Sequence, residues 1–217
     1  MIGIIDSGIG GKGIKKEIKK IIPGEKIFYI ADRKNFPYGT KKTQVLNKII
    51  AFNINKLIRR RAKIIVLACN SGSVTSLKYL RKRFSLPIVG VVPAIKTAAK
   101  ISKTKKIAIF ATPITTRSGT QAELIRKYCQ GYQVYKISME DLASQIEFNQ
   151  LKKAEENIRK KWQLYRNKRI DVIVLGCTHY TLVKSLIRKI VGKKIRIVDS
   201  NVAVARQVKR LYDKVEE

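Results

Sequence analysis

The chain has 217 residues, 45% hydrophobic and 29% charged, which excludes disorder and gives length enough for one large or two small packed domains. Its 47 Lys and Arg against 15 Asp and Glu give a formal charge of +32, so non-specific polyanion binding is expected at low salt. Three Cys and one His make neither a disulfide framework nor a zinc site, no apolar run reaches a membrane span, and no secretory leader is visible, so a cytoplasmic protein without metal or membrane attachment is expected.

Taken in chain order, short apolar runs alternate with amphipathic stretches. Met1–Ile5 reads as a strand, and Asp6-Ser7 leads into a turn where Gly8, Gly10 and Gly13 match G-x-G-x-x-G, with Asp32 about 20 residues on. That spacing leaves a dinucleotide site, and so a nicotinamide-dependent oxidoreductase, open as an alternative. An aspartate between strand and glycines opposes a pyrophosphate, however, and a P-loop fails because Gly13 stands where Ser or Thr is needed. Ile14, Ile18, Ile21 and Ile22 make a helical stripe that Pro23-Gly24 stops. Strands are predicted at Lys26–Ala31, Lys63–Ala68, Pro87–Val92, Lys105–Ala111, Gln133–Ile137, Asp171–Gly176 and Lys194–Val198, with helices over Val45–Ile58, Leu151–Leu164 and Val202–Leu211. Near-continuous apolar strands alternating with helices predict an α/β fold with parallel sheets.

An internal repeat divides this pattern. Lys63-Ile-Ile-Val-Leu-Ala-Cys69-Asn70-Ser71 is echoed half a chain length later by Asp171-Val-Ile-Val-Leu-Gly-Cys177-Thr178-His179. The first strand and Asp6-Ser7 are echoed, at nearly the same offset, by Lys106–Ala111 with Thr112 and Thr115. The economical reading is two pseudo-symmetric α/β domains, residues 1–95 and 96–198, with a boundary near Val92–Lys105. Each is a mostly parallel sheet flanked by helices, the active site lies in the cleft between them, and the C-terminal helix, 199–217, packs back on the first.

Cys69 and Cys177 each end a buried strand and precede a helix, where α/β proteins place ligands and where free amides favour a thiolate. A single buried cysteine is commonly just a small hydrophobe, but two at matching points of a duplicated unit point to chemistry. Cys129, without an echo, reads as structural. His179, the sole histidine, lies in the Cys177 turn and suits a proton carrier or orienter. The scattered lysines read as compositional bias before they read as a nucleic-acid site, since no zinc-finger, RRM or KH pattern accompanies them. A basic nucleic-acid-binding protein is the second alternative.

Asp6-Ser7-Gly-Ile-Gly-Gly, Pro37-Tyr38-Gly39-Thr40, Ala68-Cys69-Asn70-Ser71, Thr112-x-x-Thr115 and Gly176-Cys177-Thr178-His179-Tyr180 together resemble glutamate racemase, within the aspartate/glutamate racemase superfamily, over nearly the whole chain. The resemblance implies cofactor-independent interconversion of L- and D-glutamate, supplying D-glutamate for peptidoglycan, with glutamate as small-molecule partner and a homodimer as assembly; another superfamily member, acting on aspartate or a different amino acid, is the nearest alternative. It implies Cys69 as the base toward D-glutamate, assisted by Asp6, and Cys177 as the base toward L-glutamate, assisted by Glu147 and His179. Ser7, Pro37, Tyr38, Gly39, Asn70, Ser71, Thr112, Thr115 and Thr178 would bind substrate. The chain departs from the family's usual pattern at Ser71-Gly72, where Thr-Ala is common, and at Thr181, where Pro is common; it is also shorter than typical members.

Overall fold

A computed structural model describes residues 1–216. The chain divides into two compact units, one formed by Met1–Val91 with the segment from Ser200 on, the other by Val92–Asp199.

Unit 1 runs β1 (Ile2–Asp6), α1 (Lys12–Ile21), β2 (Ile27–Ala31), two 3-10 turns (Arg33–Asn35 and Tyr38–Thr40), α2 (Thr43–Arg59), β3 (Ile64–Leu67), α3 (Asn70–Arg83) and β4 (Ile88–Gly90). Unit 2 runs α4 (Ile95–Ile101), β5 (Lys106–Ala111), α5 (Pro113–Thr116), α6 (Gly119–Tyr128), β6 (Gln133–Ser138), α7 (Leu142–Glu147), α8 (Leu151–Gln163), β7 (Val172–Gly176), α9 (Thr178–Leu182), α10 (Lys184–Val191) and β8 (Arg196–Val198). The last helix, α11 (Asn201–Glu216), belongs to unit 1. Both sheets are wholly parallel and share one order, β2-β1-β3-β4 and β6-β5-β7-β8. The repeat read in the sequence is thus a repeat of topology: the cysteine strands, β3 and β7, hold equivalent inner places.

The inner strands β1, β3 and β7 are buried throughout, and β5 at all but its first residue, as strands covered on both faces must be. Alternate side chains serve opposite faces. In unit 1, Ile2, Ile4 and Val66 pack with Ile14 and Ile18 of α1 and with Val204, Ala205 and Val208 of α11. Ile5, Ile65 and Leu67 instead meet Leu46, Ile50 and Ile54 of α2. In unit 2, Phe110, Ile173 and Leu175 face Ile158 and Trp162 of α8, while Ile107, Ile109 and Val174 face Ile95 and Ala98 of α4.

Two differences from the sequence reading have physical causes. The Pro87–Val92 run shortens to Ile88–Gly90 because the Val91 N–H leaves the ladder and donates to Ser73 Oγ, 2.9 Å away. Gly90 permits this close approach, since a Cβ there would stand 2.5 Å from Leu77 Cδ2. Helix α3 shows no apolar stripe in its first half because Asn70, Ser71, Gly72, Ser73 and Ser76 are buried there.

Candidate active site

In unit 1 the candidate residues gather at the C-terminal ends of β1 and β3. Asp6, fully buried, closes β1, and its Oδ1 accepts the Gly8 N–H at 2.9 Å and the Ser7 hydroxyl at 3.3 Å. Ser7 Oγ also lies 3.8 Å from Cys69 Sγ, so an aspartate, a hydroxyl and a thiol stand in sequence. Cys69 caps α3: its sulfur accepts the Gly72 N–H at 3.5 Å, at the positive end of a 14-residue helix, an arrangement that favours thiolate. Beside it, Asn70 is buried with its Nδ2 lacking a hydrogen-bond partner, and Ser71 is buried as well.

The Gly8 loop does not serve a dinucleotide. Its first amide is taken by Asp6, and the Gly8 carbonyl accepts the Tyr29 hydroxyl at 2.8 Å. Asp32, where the fingerprint places its ribose acid, is instead engaged by three side chains of its own unit, Tyr38, Asn35 and Asn53. Tyr38 is almost fully buried, between the half-buried Pro37 and Gly39. Burial, then the neighbouring Asp32 carboxylate, pushes its hydroxyl far above the ordinary phenol range, so it remains a donor.

In unit 2 Cys177 follows β7 and caps α9, whose first residues Thr178, His179 and Tyr180 are all buried. His179 Nε2 lies 2.8 Å from Glu147 Oε2, with both side chains nearly closed to solvent. The pair joins the ring nitrogen and the carboxylate by one hydrogen bond, which fixes the orientation of the imidazole beside Cys177. Glu147 closes α7. Thr112 Oγ1 donates to Thr115 Oγ1 at 3.0 Å just beyond β5, the strand equivalent to β1. Cys129 lies apart, buried against the α4 and α6 side of the sheet, and burial raises its thiol above the ordinary 9.0.

Sequence reasoning gave no role to Tyr180. Its buried hydroxyl donates to the Met139 carbonyl at 3.0 Å, tying the Cys177 turn to the segment that enters α7. Burial, then the nearby Cys177, raises that hydroxyl well above 10.0. Only its place in the Cys-Thr-His-Tyr run hinted at it.

Comparison with known proteins matches residues 12–208 to the model of the Asp/Glu/Hydantoin racemase family. A glutamate racemase of Clostridium botulinum is 33% identical, over 96% of this chain and 82% of that protein. One of Shewanella pealeana is 38% identical, over 94% of this chain and 78% of that protein. Among solved structures, Escherichia coli glutamate racemase in complex with L-glutamate and the activator UDP-MurNAc-Ala is similar with a TM-score of 0.91 at 28% identity, covering 98% of this chain and 82% of that one.

Proposed function

Because this chain belongs to the Asp/Glu/Hydantoin racemase family, we propose that it interconverts L- and D-glutamate without a cofactor, with Cys69 and Cys177 as the two proton carriers. The observation that carries this reading is the duplicated turn: a cysteine at the N-cap position of a helix, after the equivalent inner strand of each of two sheets with the same order. The curated relatives named glutamate racemase support the substrate.

Inverting an amino acid requires a proton to leave Cα on one face and another to arrive on the opposite face. In the D-to-L direction the Cys69 thiolate takes the α-proton, leaving a carbanion. The Cys177 thiol then gives its proton to the other face, and the pair ends as thiol and thiolate, set for the reverse reaction. The α-proton is a very weak acid, so the developing charge needs donors already in place. On the Cys69 side these are Ser71 and Asn70, whose unpartnered buried Nδ2 a substrate carboxylate would satisfy. On the other side they are Thr112, Thr115 and Thr178. Asp6 acts on Cys69 through Ser7, and the His179–Glu147 pair assists Cys177. Both thiols must stay reduced for this chemistry, which fits a reducing compartment such as the cytoplasm.

Incubation with either enantiomer, with no cofactor added, should yield both by chiral chromatography. A requirement for pyridoxal phosphate, or good turnover of aspartate with none of glutamate, would sink the reading. Cys69→Ser and Cys177→Ser should each abolish racemisation, whereas Cys129→Ser should stay within about threefold of the parent. Each active-site variant should still eliminate chloride from one enantiomer of β-chloroglutamate. There a base takes the α-proton, the Cα–Cβ double bond forms as chloride leaves, and the product hydrolyses to keto acid and ammonium. Cys177→Ser should process only the D-analogue and Cys69→Ser only the L-analogue; equal use of both by either variant removes the assignment of faces.

A further inference from the structure

Asp32 is the conspicuous acid that the two-thiol chemistry does not use. It begins the loop after β2, and each end of it is tied down. Its main-chain N–H donates to the Asp6 carbonyl at 2.8 Å, fixing it to the residue before Ser7, whose hydroxyl lies 3.8 Å from Cys69 Sγ. Its carboxylate accepts the Tyr38 hydroxyl at 2.8 Å, the Asn53 side-chain amide from α2 at 2.9 Å and the Asn35 amide at 2.9 and 3.0 Å. Three neutral donors converge on one carboxylate and hold the groups around it in place.

One group so held is Tyr38. Its ring lies against the first turn of α3, where Cδ2 would stand 3.3 Å from a Cβ at Gly72. Gly72 is the residue whose N–H donates to Cys69 Sγ. A chain of direct contacts therefore runs from Asp32 through the Tyr38 hydroxyl and ring to the amide that meets the thiol. We propose that Asp32 is a positioning residue for the Cys69 half of the reaction: it locks Tyr38 against the Cys69 turn and so fixes the sulfur relative to the α-proton of the D-enantiomer. The proposal rests on the two-thiol reading. Unit 2 has its own clamp, Tyr180 on Met139, so the loss of Asp32 should be felt unequally by the two half-reactions.

The test is the ratio of β-chloroglutamate elimination, D-analogue over L-analogue, in the full-length protein with folding checked by circular dichroism. Asp32→Ala should lower that ratio about tenfold, because a small misplacement of a reacting atom costs rate steeply. Asp32→Asn keeps the shape and one acceptor for Tyr38, and should restore the ratio to within about threefold. Tyr38→Phe keeps the ring and leaves Asp32 with its two amides, so it folds even where Asp32→Ala does not, and it should lower the ratio several-fold. In the double variant Asp32→Ala/Tyr38→Phe the ratio should fall no further than in the worse single, since both cut one chain of contacts. A wild-type protein that eliminates both enantiomers, with a ratio unmoved in Asp32→Ala and Tyr38→Phe, overturns this proposal alone. A wild-type protein that eliminates neither overturns the two-thiol reading and the proposal with it.

Discussion

His179 and Glu147 stand 32 residues apart in the chain and 2.8 Å apart in space, buried together on the Cys177 side. A pair this closed to solvent holds the imidazole in one tautomer and one orientation, which a proton carrier needs. His179→Asn removes the imidazole and is expected to lower kcat for L-glutamate about 100-fold, with a smaller fall for D-glutamate. The enantiomers have equal free energies in water, so kcat/KM must fall equally in both directions, and the asymmetry must reappear in KM. Initial rates from each enantiomer, followed by circular dichroism, check this; equal falls in kcat would take His179 off the Cys177 side. The thiols were legible in the sequence because the strand-cysteine phrase occurs twice. The Glu147 partner was reached only by resemblance, since no local pattern ties residue 147 to residue 179. The Asp32–Tyr38 and Tyr180–Met139 links were silent for the same reason: a side-chain hydrogen bond, whether to another side chain or to a distant carbonyl, leaves no periodicity behind.

Among the elements, the strands were read almost residue by residue, because a strand covered on both faces must be nearly all apolar, and β1, β3, β5 and β7 are, apart from Asp6 and Lys106 at two ends. Helices with a single wet face, α1, α2, α8 and α11, announced themselves by their stripes. Helices α3, α5, α7 and α9 did not: each is short or buries polar residues, so the 3.6-residue period is absent. One carboxylate ties the segment after α4 to the start of β7. Asp171 accepts Ser102 Oγ and the Lys103 N–H, both at 2.6 Å, and the Thr104 N–H at 3.2 Å, and Arg196 approaches to 3.6 Å. Burial alone would raise this carboxyl, but the hydrogen bonds outweigh it and hold it below the ordinary 3.8. Its contribution is therefore present above that value and lost as pH falls through the lower, folded one. Asp171→Asn is expected to cost about 1–2 kcal/mol at neutral pH. Urea unfolding of both proteins should show the gap closing below about pH 4; a gap that persists in acid would assign the loss to shape instead of charge.

Over the whole molecule, the +32 charge is a property of surface composition. Lys12, Lys15, Lys16, Lys19 and Lys20 line one groove along α1, and further lysines are spread through both units. Binding to duplex DNA is expected to lack sequence preference and to weaken on the order of 1,000-fold between low and physiological salt, as counterion release dictates. Fluorescence anisotropy with two unrelated duplexes checks this, and a footprint on one sequence at physiological salt would contradict it. The last helix carries a different consequence. Val204, Ala205 and Val208 of α11 cover Ile14 and Ile18 of α1, so the core of unit 1 draws on both ends of the described chain, with all of unit 2 between them. A ribosome finishes the second unit first. While it does so, at roughly 5–20 residues per second, the isoleucines of α1 wait on the order of 10 seconds for their cover. The nascent protein therefore matures from its middle outward, and in that interval its first-made half is the part a chaperone would find exposed.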